Sequence, residues 1–106
     1  KKDFFVNAGD HADEMETSLM LYLKPELVLP LDEAGMGTER KINIAEFSEN
    51  WAWTERKWSK ISEDTGVGNP KLATAEKGEN YFKSVTEKVA KLFIEISKAD
   101  VNQLFN

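Results

Sequence analysis

At 106 residues, with 41% hydrophobic and 31% charged residues, the chain has the size and composition of one small globular domain, which excludes a disordered protein. It contains no cysteine, which excludes disulfides, thiolate metal ligands and a cysteine nucleophile. Its formal charge of −5 argues against a nucleic-acid partner. No apolar run approaches the roughly 18 residues of a bilayer span, so no membrane partner is expected, and the composition suits a cytoplasmic protein. Lys1-Lys2 is followed by Asp3 rather than by the apolar run of an export signal, and a first residue other than Met suits a piece of a longer polypeptide.

Along the chain, Asp3–Val6 reads as a short buried strand, with Phe4, Phe5 and Val6 apolar and Asn7-Ala8-Gly9 as the break after it. From Asp13 to about Leu23 the pattern turns helical. Met15, Leu19 and Leu23, with Met20 and Leu21 beside them, make a wide apolar face. Glu14 and Glu16 fall in its first turn, where the helix dipole favours negative charge. Lys24-Pro25 ends it, because the residue before proline avoids the α region. Residues 26–40 read as a loop, and Ile42, Ile44 and Phe47 as a short strand. The stretch Glu49–Gly68 fits no single element. Its three tryptophans, Trp51, Trp53 and Trp58, are expected mainly to pack in a core, with the wall of a substrate pocket as the other reading. Asn69-Pro70 predicts the start of a long helix, Asn as its cap and Pro at its first position. Phe82, Val85, Val89, Leu92, Phe93 and Ile96 form one apolar stripe along it, and Gly78 lies inside it. The end is expected near Lys98.

Two helices, a few short strands and a long irregular middle make an uncomfortable domain. Either strands lie around the tryptophans, or the partner elements belong to sequence outside this chain. Charge is also unevenly placed. Residues 1–35 carry three lysines against eight acids, which accounts for the whole net charge of −5. That same stretch holds the single histidine.

The acidic run Asp10-His11-Ala12-Asp13-Glu14-Met15-Glu16-Thr17-Ser18 concentrates the chemistry. Carboxylate and imidazole are ligands for zinc, manganese and similar ions, and are also general acids and bases. One histidine with acids does not complete a zinc site, however, and acids at a helix start serve the dipole alone in many proteins.

The string HADEMETSLM from His11 to Met20, followed by Leu21 and by Pro25-Glu26-Leu27-Val28, strongly resembles a signature of the creatininase (creatinine amidohydrolase) family. A second block, Gly66-Val67-Gly68-Asn69-Pro70 leading into Ala73-Thr74-Ala75-Glu76-Lys77-Gly78, resembles that family's approach to its last helix. The two blocks stand in the family's order. The resemblance implies an α/β fold, the C-terminal part of a three-layer α/β/α sandwich that is incomplete on its own. Residues 1–106 would then be the C-terminal portion of a single amidohydrolase domain, its N-terminal metal-binding part absent.

It further implies a metal-dependent amidohydrolase that cleaves a cyclic amide or another non-peptide C–N bond of a small-molecule amide, with two divalent ions (zinc, manganese or iron) holding a water of lowered pKa. His11 matches the family histidine beside the substrate and, as a catalytic residue, would carry a proton to the leaving nitrogen or steady the tetrahedral intermediate, and Asp10, before it, would orient its ring. Glu16 matches the glutamate of the Glu-Thr-Ser motif and would bind metal or support a ligand. Glu14 and Asn7 are the candidates for substrate contact. Asn7 stands where creatinine-hydrolysing members carry a tryptophan, so the resemblance does not extend to the identity of the substrate. The family's other ligands, a Glu-x-His pair with a following Asp and an Asn-Gly-His run, do not occur in these residues. The missing N-terminal part of the same protein is therefore an expected partner, as is a homo-oligomer, and the isolated chain is expected to be inactive. The alternative is a non-catalytic binding or assembly member of the same fold.

Overall fold

The computed structural model describes residues 1–105, so the last residue of the expected 1–106 unit lies outside them. Among the described residues there are four α-helices: α1 (Glu14–Leu23), α2 (Ala45–Ser48), α3 (Trp58–Ile61) and α4 (Ala75–Lys98). Short 3-10 turns lie at Pro25–Leu27, Leu31–Glu33 and Val101–Gln103. The only β pairing among them is two isolated antiparallel bridges, His11 with Val67 and Glu39 with Ser62. The layers of an α/β/α sandwich are therefore not contained in these residues, and neither expected strand forms. Lys1–Phe5 is a turn closed by bonds from Phe4 and Phe5 N–H to the Lys1 carbonyl. The N–H groups of Val6 and Asn7, which a strand would pair with a neighbour, go instead to the Glu14 carboxylate. Ile44 caps α2, and Phe47 lies inside it.

α1 follows its sequence signals closely. Asp13 is the N-cap, its Oδ1 accepting from Glu16 N–H at 2.9 Å. Lys24, before Pro25, ends the helix. The face that α1 buries is not the apolar one: Glu14 and Ser18 are its buried residues, while Met20 and Leu23 stay exposed. The reason is the way it meets α4. Thr74 N–H donates to Ser18 Oγ at 3.2 Å, and the Tyr22 and Phe82 rings lie 5.7 Å apart one turn further along both helices. The two helices thus advance in the same direction from a contact at Ser18 and Gly78. There the backbones come so close that a Cβ on Gly78 would overlap the Ser18 carbonyl. A helix-interior glycine costs about 1 kcal/mol relative to Ala, and here it admits the neighbouring helix.

α4 begins five residues later than Asn69-Pro70 predicts. Thr74 is the cap, with its Oγ1 accepting from Lys77 N–H at 3.1 Å. Asn69 forms a local turn instead, its Oδ1 accepting from Lys71 N–H at 3.0 Å. The helix ends at Lys98 as expected. The aromatic side chains Phe4 and Phe5 pack edge-on to Tyr81 of α4 at 5.3 and 5.1 Å, which seats the N-terminal turn on its first half. Beyond that half the stripe Val85, Val89, Leu92, Phe93 and Ile96 is exposed.

The inside is small and largely polar. Phe5, Ile61, Val67 and Ala73 are the buried apolar residues among those described, alongside buried Asp13, Glu14, Ser18 and Ser62. The radius of gyration is 18.0 Å, against about 13 Å for a compact domain of this length. The accessible surface is 8410 Å², against about 6000 Å² for a compact protein of this mass. No helix among the described residues is long and apolar enough to cross a membrane.

Gly78→Ala tests the helix contact. Helix propensity alone would stabilise the variant by about 1 kcal/mol. Overlap with the Ser18 carbonyl instead makes it less stable, by roughly 1–3 kcal/mol, as read from the denaturant midpoint of the full-length protein.

Candidate functional site

The site is assembled where the two sequence blocks meet. Asp10 and His11 N–H both donate to the Val67 carbonyl, at 2.7 and 3.1 Å, and Val67 N–H returns a bond to the His11 carbonyl at 2.9 Å. Gly68, at φ +129°, allows this approach: it lies against Gly9 and Asp13, where a side chain would have no room. Ala12 follows with φ 52°, a left-handed turn that leads into α1. Glu16 stabilises that turn by accepting from Ala12 N–H, while Asp13 accepts from Glu16 N–H. The pair forms a reciprocal cap much like a capping box.

His11 therefore has a fixed backbone and a half-exposed ring, with 55% of its side chain accessible. Its Nδ1 faces Glu16 Oε2 at 3.7 Å, beyond hydrogen-bond length. Its ring meets Trp58 edge-on, centroids 5.4 Å apart and planes at 88°. Trp58 is in turn set by a bond of 2.9 Å from its Nε1 to the Thr65 carbonyl. Asp10 does not orient the imidazole as expected. Its carboxylate is paired with Arg56, which also binds Glu39 and lies 5.6 Å over the Trp58 ring. Asp10 and Glu39 together hold the Arg56 pKa above its ordinary value. The Lys41 ammonium bonded to Glu39, helped by Arg56, holds the Glu39 carboxyl below the usual range.

The two residues expected at the substrate have other partners. Glu14 is fully buried. Its carboxylate accepts from Val6 N–H and Asn7 N–H at 3.0–3.1 Å and from Lys77 Nζ at 3.4 Å. A group so enclosed within its own chain holds the N-terminal turn on α1 and α4 and has no face left for a substrate. Asn7 is partly buried, and its Nδ2 donates to the Asn69 carbonyl at 3.4 Å, toward the second block. Asp13 is also buried, with Lys1 Nζ 3.0 Å from its Oδ2 but off the line of a hydrogen bond.

For a metal centre, the donor set is incomplete. No group of three His, Asp or Glu side chains converges among the described residues. His11 and Glu16 together offer two donors, and Glu16 Oε2 is already held by Ala12 N–H. A zinc-type site needs three or four protein ligands, so the residues present do not by themselves fit the pair of ions that the sequence resemblance implies.

Arg56 also lines a cleft of about 410 Å³, together with Asp10, Glu39, Lys41, Phe47, Trp51 and Trp53 among others. Neither His11 nor Glu16 lines it. Trp51 and Trp53 are 70% and 78% exposed there, which corrects the expectation of core packing: among the described residues no element covers them. Sequence reading missed Arg56. The available signal was that Arg40 and Arg56 are the only two arginines in an acidic chain, one of them two residues from Trp58. Nearby, Asp64 closes the loop Ser62–Gly66 by accepting from Gly37 and Gly66 N–H, each at 3.1 Å.

Residues 2–93 match the family model for creatininase, creatinine amidohydrolase. Among solved structures, the chain is similar to the "Putative creatinine amidohydrolase" of Bacteroides fragilis NCTC 9343, with 50% identity and a TM-score of 0.86. The match covers 94% of this chain and 40% of that one, so the chain spans well under half the length of its relative. No curated protein matches the chain.

Two expectations follow from this geometry. Glu14→Gln leaves the Lys77 ammonium without its carboxylate and sets an amide N–H₂ against backbone donors. The full-length protein should lose about 1–3 kcal/mol in denaturant unfolding, whereas a substrate-contacting role would change KM and spare stability. The second concerns pH. The Gly37 N–H, chiefly, holds the Asp64 carboxyl below its ordinary value of 3.8. The loop closure it provides is complete above that value and is lost as pH falls through the lowered one. In an NMR titration the Gly37 amide should shift with a midpoint under 3.8; a midpoint at or above it would contradict the bond.

Proposed function

The chain belongs to the creatininase family, and we propose that it contributes the His11-bearing part of a metal-dependent amidohydrolase acting on a cyclic amide or another non-peptide C–N bond of a small molecule. The observation that carries this reading is the imidazole of His11. It is anchored by its backbone to the second family block, half exposed, and placed beside the glutamate of the Glu-Thr-Ser motif.

With Nδ1 turned toward Glu16, the other ring nitrogen is left for a substrate. As the C–N bond of a tetrahedral intermediate breaks, the leaving nitrogen needs a proton, and His11 supplies it as a general acid. A positioned side chain in this role contributes roughly 10² to 10⁴ in rate. Among the described residues Glu16 Oε1 has no hydrogen-bond partner, and in this reading it is offered to an ion or to a ligand of that ion. The ions themselves, zinc, manganese or iron, belong in this reading mainly to protein outside the described residues, since those residues do not complete a site. The same holds for the partner expected from sequence, the N-terminal part of the domain.

A second reading, a non-catalytic binding or assembly member of the fold, draws on the exposed stripe of α4, a surface suited to self-association into a homo-oligomer. The preceding polypeptide separates the two. An enzyme carries a Glu-x-His pair, a following Asp and an Asn-Gly-His run, and an assembly protein has lost them.

In the full-length protein, assayed with creatinine, N-formyl amines and small cyclic amides, His11→Ala should lower turnover by roughly 10² to 10⁴ with metal content near normal by elemental analysis. Glu16→Ala should lower the metal content. Unchanged turnover in both variants would remove the assignment.

A further inference from the structure

We infer that Trp58 and Arg56 are positioning residues for the His11 imidazole, a role that rests on the reading of His11 as the proton donor. An imidazole with 55% of its side chain accessible has several rotamers open to it, and a fixed backbone does not choose among them. Two side chains do. Glu16 faces Nδ1 at 3.7 Å, and the Trp58 ring meets the imidazole edge-on at 5.4 Å, within the range of a favourable aromatic pair.

Trp58 is a firm wall because it is held at two points. Its Nε1 donates to the Thr65 carbonyl, in the loop that Asp64 closes. Its face carries the Arg56 guanidinium at 5.6 Å, inside the distance of a cation–π contact. Residues 56 and 58 reach the same side because Lys57 between them is extended, and side chains two apart in extended backbone share a face.

Arg56 acts a second time through Asp10. Asp10 is the immediate neighbour of His11 in sequence, so its carboxylate, if released, would be a second partner for the ring. Arg56 binds that carboxylate and ties it to Glu39, whose other oxygen is bound by Lys41 at 2.7 Å. Glu16 is then the carboxylate left facing the imidazole. The guanidinium thus removes one orientation of the histidine, and the indole behind it supports the other.

Three variants of the full-length protein test this, with the His11 ring C–H resonances assigned by their loss in His11→Asn. Trp58→Leu should remove the ring-current displacement of those resonances. It should also lower kcat about tenfold, a modest case of misplacement, with KM within about twofold and the unfolding midpoint near wild type. Trp58→Phe keeps an aromatic edge without the Nε1–H and should recover most of kcat. Arg56→Met should broaden or shift the same resonances by releasing Asp10. Wild-type resonances and kcat in Trp58→Leu would overturn the inference, and so would Trp58→Phe as impaired as Trp58→Leu. If His11→Asn itself turns over normally, the amidohydrolase reading fails. The resonances in Trp58→Leu then still decide whether the indole positions the ring.

Discussion

The arrangement depends on one buried carboxylate. Glu14 is fully enclosed, and a carboxylate removed from water costs several kcal/mol unless charge and hydrogen bonds replace the solvent. Here the replacements are two backbone N–H groups of the N-terminal turn and the ammonium of Lys77 on α4. Three separate stretches of chain are thereby joined at the first residue of α1. The consequence for the site is geometric. With Val6 and Asn7 fixed to Glu14, and Glu14 fixed to the helix, the intervening residues 8–13 must close a short loop. His11 sits near its apex, paired with Val67. The same junction brings Ser18 to the cap of α4, so the Glu-Thr-Ser motif contributes to architecture as much as to chemistry.

This polar junction is finished within the described residues, whereas the apolar surface is not. α1, ten residues long, extends about 15 Å, and α4, twenty-four residues long, about 36 Å. Advancing in parallel from Ser18 and Gly78, the shorter helix ends at Leu23, one residue past the Tyr22–Phe82 contact, and the following turns of α4 present Val85, Val89, Leu92, Phe93 and Ile96 to solvent. A stripe of that kind is stable only with a cover. The excess surface and large radius describe the same fact, and the relative of which this chain spans 40% has the additional length from which a cover could come.

Local signals made α1 legible in the sequence. Asp13 as cap, acids in the first turn and Lys24-Pro25 as terminator each act within a few residues, so a linear reading captures them. The stripe of α4 and its end at Lys98 were legible for the same reason. Its start was not. Asn69-Pro70 and Thr74 are both acceptable caps locally, and the choice falls to Thr74 because its N–H is bound by Ser18, 56 residues away. The strand expected at Asp3–Val6 failed through a local turn, in which Phe4 and Phe5 N–H bond the Lys1 carbonyl, and a distant event, in which the Val6 N–H is claimed by a carboxylate on α1. The pairing of the two family blocks through His11 and Val67, 56 residues apart, had no local signal in the sequence. Arg56, 46 residues from Asp10, left only the scarcity of arginine as a hint.

The acidic run shows why a carboxylate-rich segment does not by itself make a metal site. Four carboxylates and an imidazole in seven residues, Asp10 to Glu16, look like a ligand cluster, yet the backbone sends them in different directions. Asp13 caps the helix, Glu14 is buried as the clamp, and Asp10 turns to Arg56. On α1, residues 14 and 16 are separated by roughly 200°, and Asp13 precedes the helix in extended backbone, so these acids cannot all face one point. Only Glu16 lies one turn from the loop apex and reaches back to it, where it bonds Ala12 N–H and faces His11. What the run leaves half exposed at the loop apex is one imidazole with one carboxylate beside it. Under the proposed function that pair handles a proton, and the larger part of any metal coordination comes from donors on other segments.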